Sequence, residues 1–434
     1  MEKSYSSSKS IEVTKSIKKV TLALQHMIAM FGATVLVPLL TGFDVSTSLM
    51  CAGIGTLIFH FCTKKKVPVF LGSSFAFIPV IQSVAKSYGS LAYAQGGIVV
   101  AGFIYVILSL FIKKIGVNRI TKYFPAQVVG PMVIVIGFNL LPTAISMASS
   151  NYIASIVTFT ACILLTRFSK GFTKQLAIII SVTIGYLLSL RLGIVDLTPL
   201  KSAEFLRLPP ITFPKFSLGA IFTIAPVVIA VFMEHIGDIT TNSQVVGENF
   251  MEDPGLNRTL LGDGLATMIA GMIGGPANTT YGENTGVLAL TKNYDPSILR
   301  LAAVFAIILG CVGYIGGFLQ TIPTAVMGGI SVILFSMIAL VGFKTIKNSK
   351  LDYNLKNIIT MASIIIIGLG PNFGLNIGIK ITDMVSLSGL SLAAIAGIVI
   401  NVAFNIYENK IMKETMWNKF SQNTLKLPPL VYNY

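Results

Sequence analysis

The chain has 434 residues, 53% of them apolar and only 11% charged, with a mean hydropathy of +0.79. A soluble chain carries about 25% charged residues, so this one cannot cover itself with a water-compatible surface, which excludes an ordinary cytosolic globule, a disordered chain and a small disulfide scaffold. The formal net charge of +15 does not point to nucleic acid, because Lys and Arg fall in short clusters between apolar blocks, as topogenic charges do.

The apolar blocks are unbroken rather than alternating, which predicts spanning helices and not a transmembrane barrel. After a polar, basic start (MEKSYSSSKSIEVTKSIKK), apolar segments cover 18–40, 46–62, 67–86, 92–112, 125–147, 150–167 and 173–191. A second set covers 217–240, 259–275, 276–292, 298–319, 323–342, 355–371 and 383–406. The fold class is therefore an all-α polytopic membrane protein with fourteen transmembrane segments. The first apolar run, Val20 to Leu40, is long enough to span and lacks a cleavage-site pattern, so it reads as a helix and not a removed signal peptide. Segments 67–86 and 276–292 are irregular. Each opens on a short stretch containing Pro and Gly and is too short for a full helical span. The four cysteines, Cys51, Cys62, Cys162 and Cys311, form no CxxC pair and read as small buried hydrophobes.

Placing the N-terminus in the cytoplasm leaves six basic residues outside: Lys86, Arg191, Lys201, Arg207, Lys215 and Lys380. The other 26 of the 32 fall inside, Lys64 to Lys66, Lys122 and Lys426 among them. This asymmetry predicts fourteen crossings with both termini cytoplasmic.

The two halves resemble each other. Leu24-Gln25-His26 parallels Met233-Glu234-His235. The stretch from Pro68 to Phe75 parallels that from Pro276 to Glu283, and the stretch from Pro125 to Gly130 parallels that from Pro323 to Gly328. The matches keep chain order and nearly keep their spacing. Seven spans per repeat is an odd number, so the second repeat enters the membrane from the opposite side. Inverted repeats with a broken helix in each half are the architecture of secondary transporters. Irregular backbone at membrane depth must pair with protein or line a cavity. Pro68–Gly72 and Pro276–Tyr281 therefore read as short antiparallel strands at the midplane. The half-helices that follow aim their N-termini at one central site. Ser73, Ser74 and Phe75 lie at one such end, and Gly282, Glu283 and Asn284 at the other.

Ionisable residues inside spans are costly and usually functional. Glu234 and His235 interrupt the apolar run PVVIAVFMEHIGDITT, and Glu283 sits in TTYGENTGVLAL. Asp238 lies one turn after Glu234 and shares its face. Asp238 and Asp263 fall close to the cytoplasmic ends of their spans and read as caps or interhelical contacts. Gln25 and His26 sit inside LALQHMIAMFG, where His26 reads equally as a bond across a helix interface. Two carboxylates and an aromatic ring, Phe75, describe a flat ligand with N–H donors, which an ionised Glu accepts well. A pyrimidine or purine base fits. A metal ion fits poorly for want of oxygen-rich neighbours, and an inorganic anion would want basic residues at the helix ends. No nucleophile–base pair, HExxH motif or phosphate loop points to an enzyme.

The motifs Gln25-His26, LGSSFAFI (71–78), MEHIG (233–237) and YGENTGVLALTK (281–292) resemble those of the nucleobase–ascorbate transporters, the nucleobase:cation symporter-2 family, over about residues 15 to 410. Glu283, where purine-carrying relatives usually have Gln, resembles the uracil carriers. The resemblance implies that Glu234 and Glu283 bind the ring nitrogens of uracil, that Phe75 stacks on the ring, and that Ala29, Ser74, Tyr281 and Gly282 line the same site. His26, Gln25, His235, Asp238, Asn284 and Asp263 would support it or couple protons. Some uracil carriers have a His where this chain has Asp238. The resemblance also implies a cytoplasmic tail (1–17), a core domain of spans 1–4 (18–122) and 8–11 (216–320), and a gate domain of spans 5–7 (123–215) and 12–14 (321–408). A C-terminal cytoplasmic tail (409–434) follows. It further implies residence in the cell membrane and a homodimer through the gate, with no cofactor beyond protons as the coupling ion, no metal and no nucleic acid partner. A xanthine or other purine permease, or an anion carrier on the same fold, remain the alternatives.

Overall fold

Each predicted apolar segment carries a helix, and capping side chains set where several of them begin. The computed structural model describes residues 2–120, 124–375, 377–382 and 385–424. Helix α1 is Glu2–Thr41, so the polar N-terminal stretch continues the first span as helix. Then come α2 Val45–Cys62, α3 Ile78–Tyr88, α4 Leu91–Ile115, α5 Ala126–Ala148, α6 Tyr152–Phe168 and α7 Ala177–Arg191. In the second half, α8 is Leu218–Val246 and α9 is Leu256–Ile273. Helix α10 is Gly282–Thr291, α11 has two pieces, Pro296–Gly310 and Gly313–Gln320, α12 is Thr324–Asn348, α13 is Leu355–Leu369 and α14 is Gly389–Thr424. Asp44 accepts from Thr47 N at 2.8 Å and Asn151 from Ala154 N at 3.0 Å, each satisfying an otherwise orphaned helix donor. Residues 425–434 of the predicted C-terminal tail, which include Lys426, lie outside the described residues, as do Lys122 and the boundary at 122–123.

Among the described residues, eight helices are long and apolar enough to cross a bilayer, and three more are shorter apolar helices. Large apolar side chains such as Phe103, Ile153, Phe168 and Leu340 are exposed on them, a surface suited to lipid. The chain is a multi-pass membrane protein.

Two groups of helices pack internally. Helix α4 packs along α9, and α2 packs on α9 and α11. Helix α5 packs along α12, with α6, α7, α13 and α14 against that pair. Helix α8 touches α5 and α14. Small residues allow the closest approaches, as in other membrane bundles. A Cβ on Gly102 of α4 would lie 2.6 Å from Met268 N of α9, and one on Gly342 of α12 would lie 2.5 Å from Gly130 O of α5.

The irregular segments meet as strands. Strand β1 (Leu71–Ser73) pairs antiparallel with β2 (Asn278–Thr280), Gly72 opposite Thr279. Both strands are three residues long, shorter than the sequence reading. Backbone bonds extend the ladder at each end: Ser74 N donates to Ala277 O at 2.8 Å and Tyr281 N to Phe70 O at 3.0 Å. The outer edges are satisfied by hydroxyls from neighbouring helices. Leu71 N donates to Thr56 Oγ1 of α2 at 2.9 Å, and Thr267 Oγ1 of α9 donates to Asn278 O at 2.9 Å. At these positions the irregular backbone is paired with protein, the condition for its survival at membrane depth.

Two features depart from the sequence reading. A second hairpin, β3 (Gly378–Thr382) with β4 (Val385–Ser388), precedes α14, which starts at Gly389 and not at 383; residues 383 and 384 lie outside the described residues. The fold is therefore helical with two small sheets. In addition, α3 does not begin directly after its strand, because a single 3-10 turn, Phe75–Phe77, intervenes.

Candidate functional site

Around the strand crossing, helices α1, α8, α9 and α10 and the 3-10 turn before α3 each deliver a polar or aromatic group. Helix α10 begins at Gly282, with Glu283 in its first turn. Glu234 stands on α8, half-buried, within electrostatic reach of Glu283 and Asp263. One turn later, Asp238 Oδ2 accepts from Thr280 Oγ1 at 3.0 Å. A Cβ on Gly282 would come 3.7 Å from Asp238 Oδ1, which places this carboxylate beside the N-terminus of α10. A Cβ on Gly237 of α8 or Gly286 of α10 would meet nothing within 4 Å. Open space thus borders α8 at Gly237 and α10 at Gly286, each one turn after a glutamate, Glu234 and Glu283.

Behind that face the polar residues lock the helices together. Asn284 Nδ2 donates to His26 O at 2.9 Å and lies 3.2 Å from His26 Nδ1, tying α10 to α1. His235 turns away from the cleft. Its Nδ1 is 2.8 Å from Asp263 Oδ2 and its Nε2 is 2.9 Å from Thr259 Oγ1, both on α9. The backbone of Thr280 also bonds Asp263. Thr280 thus touches both carboxylates, Asp238 through its hydroxyl and Asp263 through its amide. Asp263 makes an interhelical contact with His235 of α8, whereas Asp238 bonds strand β2 through Thr280; neither bond is a helix cap. His60 is a structural residue whose Nε2 donates to Val69 O at 3.0 Å.

On the other half, Tyr281 OH donates to Ser73 O at 2.9 Å across the crossing. Gly72 beneath it has no room for a side chain, since a Cβ would lie 2.3 Å from the Tyr281 ring. Ser74 is buried, and its Oγ has no hydrogen-bond partner. Phe75, 8% exposed, packs edge-on against Phe335 of α12 with ring centroids 5.7 Å apart. Ala29 is half-buried on α1, and the buried Oε1 of Gln25 has no hydrogen-bond partner.

The structure therefore gathers Glu234, Asp238, Tyr281, Gly282 and Glu283 at one place. It draws His26 with Asn284, and His235 with Asp263, into the supporting layer. Sequence reasoning missed Thr280, Thr259 and Phe335. Thr280 carried a faint signal, a hydroxyl in a strand next to an acidic half-helix. Phe335 carried none, being one apolar residue in an apolar span.

No group of three or more His, Cys, Asp or Glu that could hold a metal occurs among the described residues. The arrangement offers acceptor-only carboxylates, helix-end amide donors and an aromatic edge, with open space at Gly237 and Gly286. It can hold a planar neutral molecule carrying N–H donors and carbonyl acceptors.

Comparison with known proteins agrees in scale with this description. A family model described as "Permease family" (Xan_ur_permease) matches residues 17–377. A probable uracil permease of Haemophilus influenzae is 42% identical over 410 residues, 92% of this chain and 97% of that protein. The uracil permease of Escherichia coli K12 is 39% identical over 403 residues, 90% of this chain and 92% of that protein. Among solved structures, SLC26A9 superposes with a TM-score of 0.69 at 10% identity over 90% of this chain, which spans 65% of that structure's length. The transmembrane domain of a cyanobacterium bicarbonate transporter, BicA, gives 0.56 at 13% identity over 88% of this chain and 96% of that one. At such identities the likeness is one of fold.

Proposed function

Because this chain belongs to the nucleobase:cation symporter-2 permease family, a family of transporters and not of enzymes, we propose that it imports a nucleobase, uracil above all, by proton symport. The observation that carries this reading is the acidic cluster of α8 and α10, Glu234, Asp238 and Glu283, gathered beside the strand crossing with open space at Gly237 and Gly286. Glu234 and Glu283 accept the ring N–H groups, while backbone amides beside Gly282 and Phe75 meet the carbonyls. Phe75 stacks on the ring, with Ala29, Ser74, Tyr281 and Gly282 completing the lining. Both sequence relatives named above carry uracil in their names, and Glu283 suits a pyrimidine carrier. The solved anion carriers share only the fold, and an acidic pair at the broken helices opposes an anion.

In this reading the chain crosses the cell membrane fourteen times as two inverted repeats, with both termini cytoplasmic. Helices α1–α4 and α8–α11 form a core that carries the site. Helices α5–α7 and α12–α14 form a gate, through which two copies dimerise. The separate packing of the α4–α9 and α5–α12 groups supports that division. Alternating access follows from movement of the core against the gate.

Proton coupling needs the proton and the base to bind with positive cooperativity. A proton on Asp238 or Glu234 removes charge from a crowded acidic face and so favours the loaded, inward-moving state. The test is concentrative uptake of labelled uracil into proteoliposomes under an acid-outside gradient, with xanthine as competitor. Accumulation that needs sodium and ignores the proton gradient refutes the coupling. Competition by xanthine at equal concentration refutes the preference for uracil.

A further inference from the structure

A cavity of about 360 Å³ opens beside α3, and Phe75 forms part of its wall. Its volume holds the room of about a dozen waters, enough for one single-ring base with solvent around it. One face of α3 lines it with Pro79, Ser83 and Ser87, spaced i, i+4, i+8. Opposite stand Asn139 of α5 and Asn372 just beyond α13. Asn372 Nδ2 donates to Asn139 Oδ1 at 2.8 Å, and Asn139 Nδ2 donates to Gly368 O at 3.1 Å. This amide chain is held in place, and the Asn372 carbonyl oxygen remains able to accept. No Asp, Glu, Lys, Arg or His lines the cavity among the described residues.

Two facts place it apart from the acidic face. Strands β1 and β2 are antiparallel, so α3 and α10 leave the crossing in opposite directions. The open space at Gly286 borders α10, whereas this cavity follows α3. Phe75, in the 3-10 turn between β1 and α3, stands at the junction.

We propose that this cavity is a second, outer binding site, in which a neutral base waits between α3 and the α5–α13 wall before passing Phe75 to the acidic face. The proposal rests on the transport reading above and adds a selection step to it. Walls with hydroxyl and amide groups but no charge admit a planar uncharged base, whose hydrogen bonds they replace. The same walls reject a nucleotide, whose phosphate would lose its hydration without gaining a cation.

The test uses thiol labelling of the purified full-length chain with a neutral maleimide, read by peptide mass. Ser83→Cys, with Ser87→Cys as the second position, reports the outer cavity, and Gly286→Cys reports the acidic face. Each is made both in the parent and in a Glu234→Gln, Glu283→Gln background that weakens the central site. For a waiting site with a Kd of about 1 mM, 10 mM uracil slows labelling at position 83 about tenfold in both backgrounds. In the double-Gln background, labelling at 286 stays unchanged, and uridine monophosphate protects neither position. Protection at 83 that disappears with the two carboxylates overturns the outer site, because it then reports the central one. Equal protection by the nucleotide overturns the charge selection. Absence of uracil binding by the parent protein in equilibrium dialysis overturns the transport reading itself, and this one with it.

Discussion

Replacing Glu283 by Gln changes charge and leaves shape almost untouched, which makes it the sharpest probe of the acidic face. Glu283 occupies the first turn of α10, one residue after Gly282 and beside Asp238. The substitution turns one acceptor oxygen into a donor that faces a ligand N–H. A lost charge-assisted bond together with the mismatched donor costs about 2–4 kcal/mol, or roughly 30- to 1,000-fold in affinity. The helix-end interaction with a negative charge is also lost, at about 0.3–1 kcal/mol, and falls on stability and not on binding. Isothermal titration with uracil, alongside a thermal melt, separates the two. The expected result is a large fall in affinity with a melting temperature close to that of the parent. An affinity within about threefold of the parent, some 0.7 kcal/mol, refutes the assignment of Glu283 to the ligand and returns it to a structural role.

Phe75→Ala should weaken uracil binding by about 1–3 kcal/mol through lost stacking, whereas binding equal to the parent's would make Phe75 a packing residue against Phe335. Asp263→Ala leaves His235 Nδ1 buried without its hydrogen-bond partner, and an unsatisfied buried polar group of this kind destabilises by about 1–3 kcal/mol. Its melting temperature in detergent should fall clearly, and an unchanged melt would show that the pair contributes nothing. Gly102→Val forces a side chain against the α9 backbone 2.6 Å away, a strain of at least about 1–3 kcal/mol. Size-exclusion profiles should show loss of the monodisperse peak, and a normal profile would mean that α4 and α9 separate at little cost.

Much of the centre was legible because membrane insertion punishes irregularity. Pro and Gly in two segments too short to span could mean only broken helices, and carboxylates in apolar runs could mean only a site or a buried lock. What the sequence hid was direction. Glu234 and His235 are neighbours in the chain, but consecutive residues on a helix diverge by about 100°. If Glu234 faces the cleft, His235 must face a neighbouring helix, and it does, through Asp263. The hairpin β3–β4 escaped because its alternation (Gly-Ile-Lys-Ile-Thr, Val-Ser-Leu-Ser) is short and merges into the apolar run of α14. Phe335 and Thr280 acquire meaning only from residues far away in the chain, Phe75 in one case and Asp238 and Asp263 in the other.

The pairing of Leu71 with Thr280 sets a schedule for the making of the protein. While the ribosome is still adding the second half, the segment around Leu71 already lies in the bilayer, with amide groups whose partners have not been synthesised. Thr56 satisfies Leu71 N from within the first half, but the ladder bonds to 278–280 must wait. Until then the nascent chain exposes polar backbone to lipid, at a cost of several kcal/mol per unsatisfied group. That makes the interval a natural point for insertase assistance or for proteolytic disposal. A chain cut between α7 and α8 should accumulate poorly when made alone and recover when its missing half is supplied beside it.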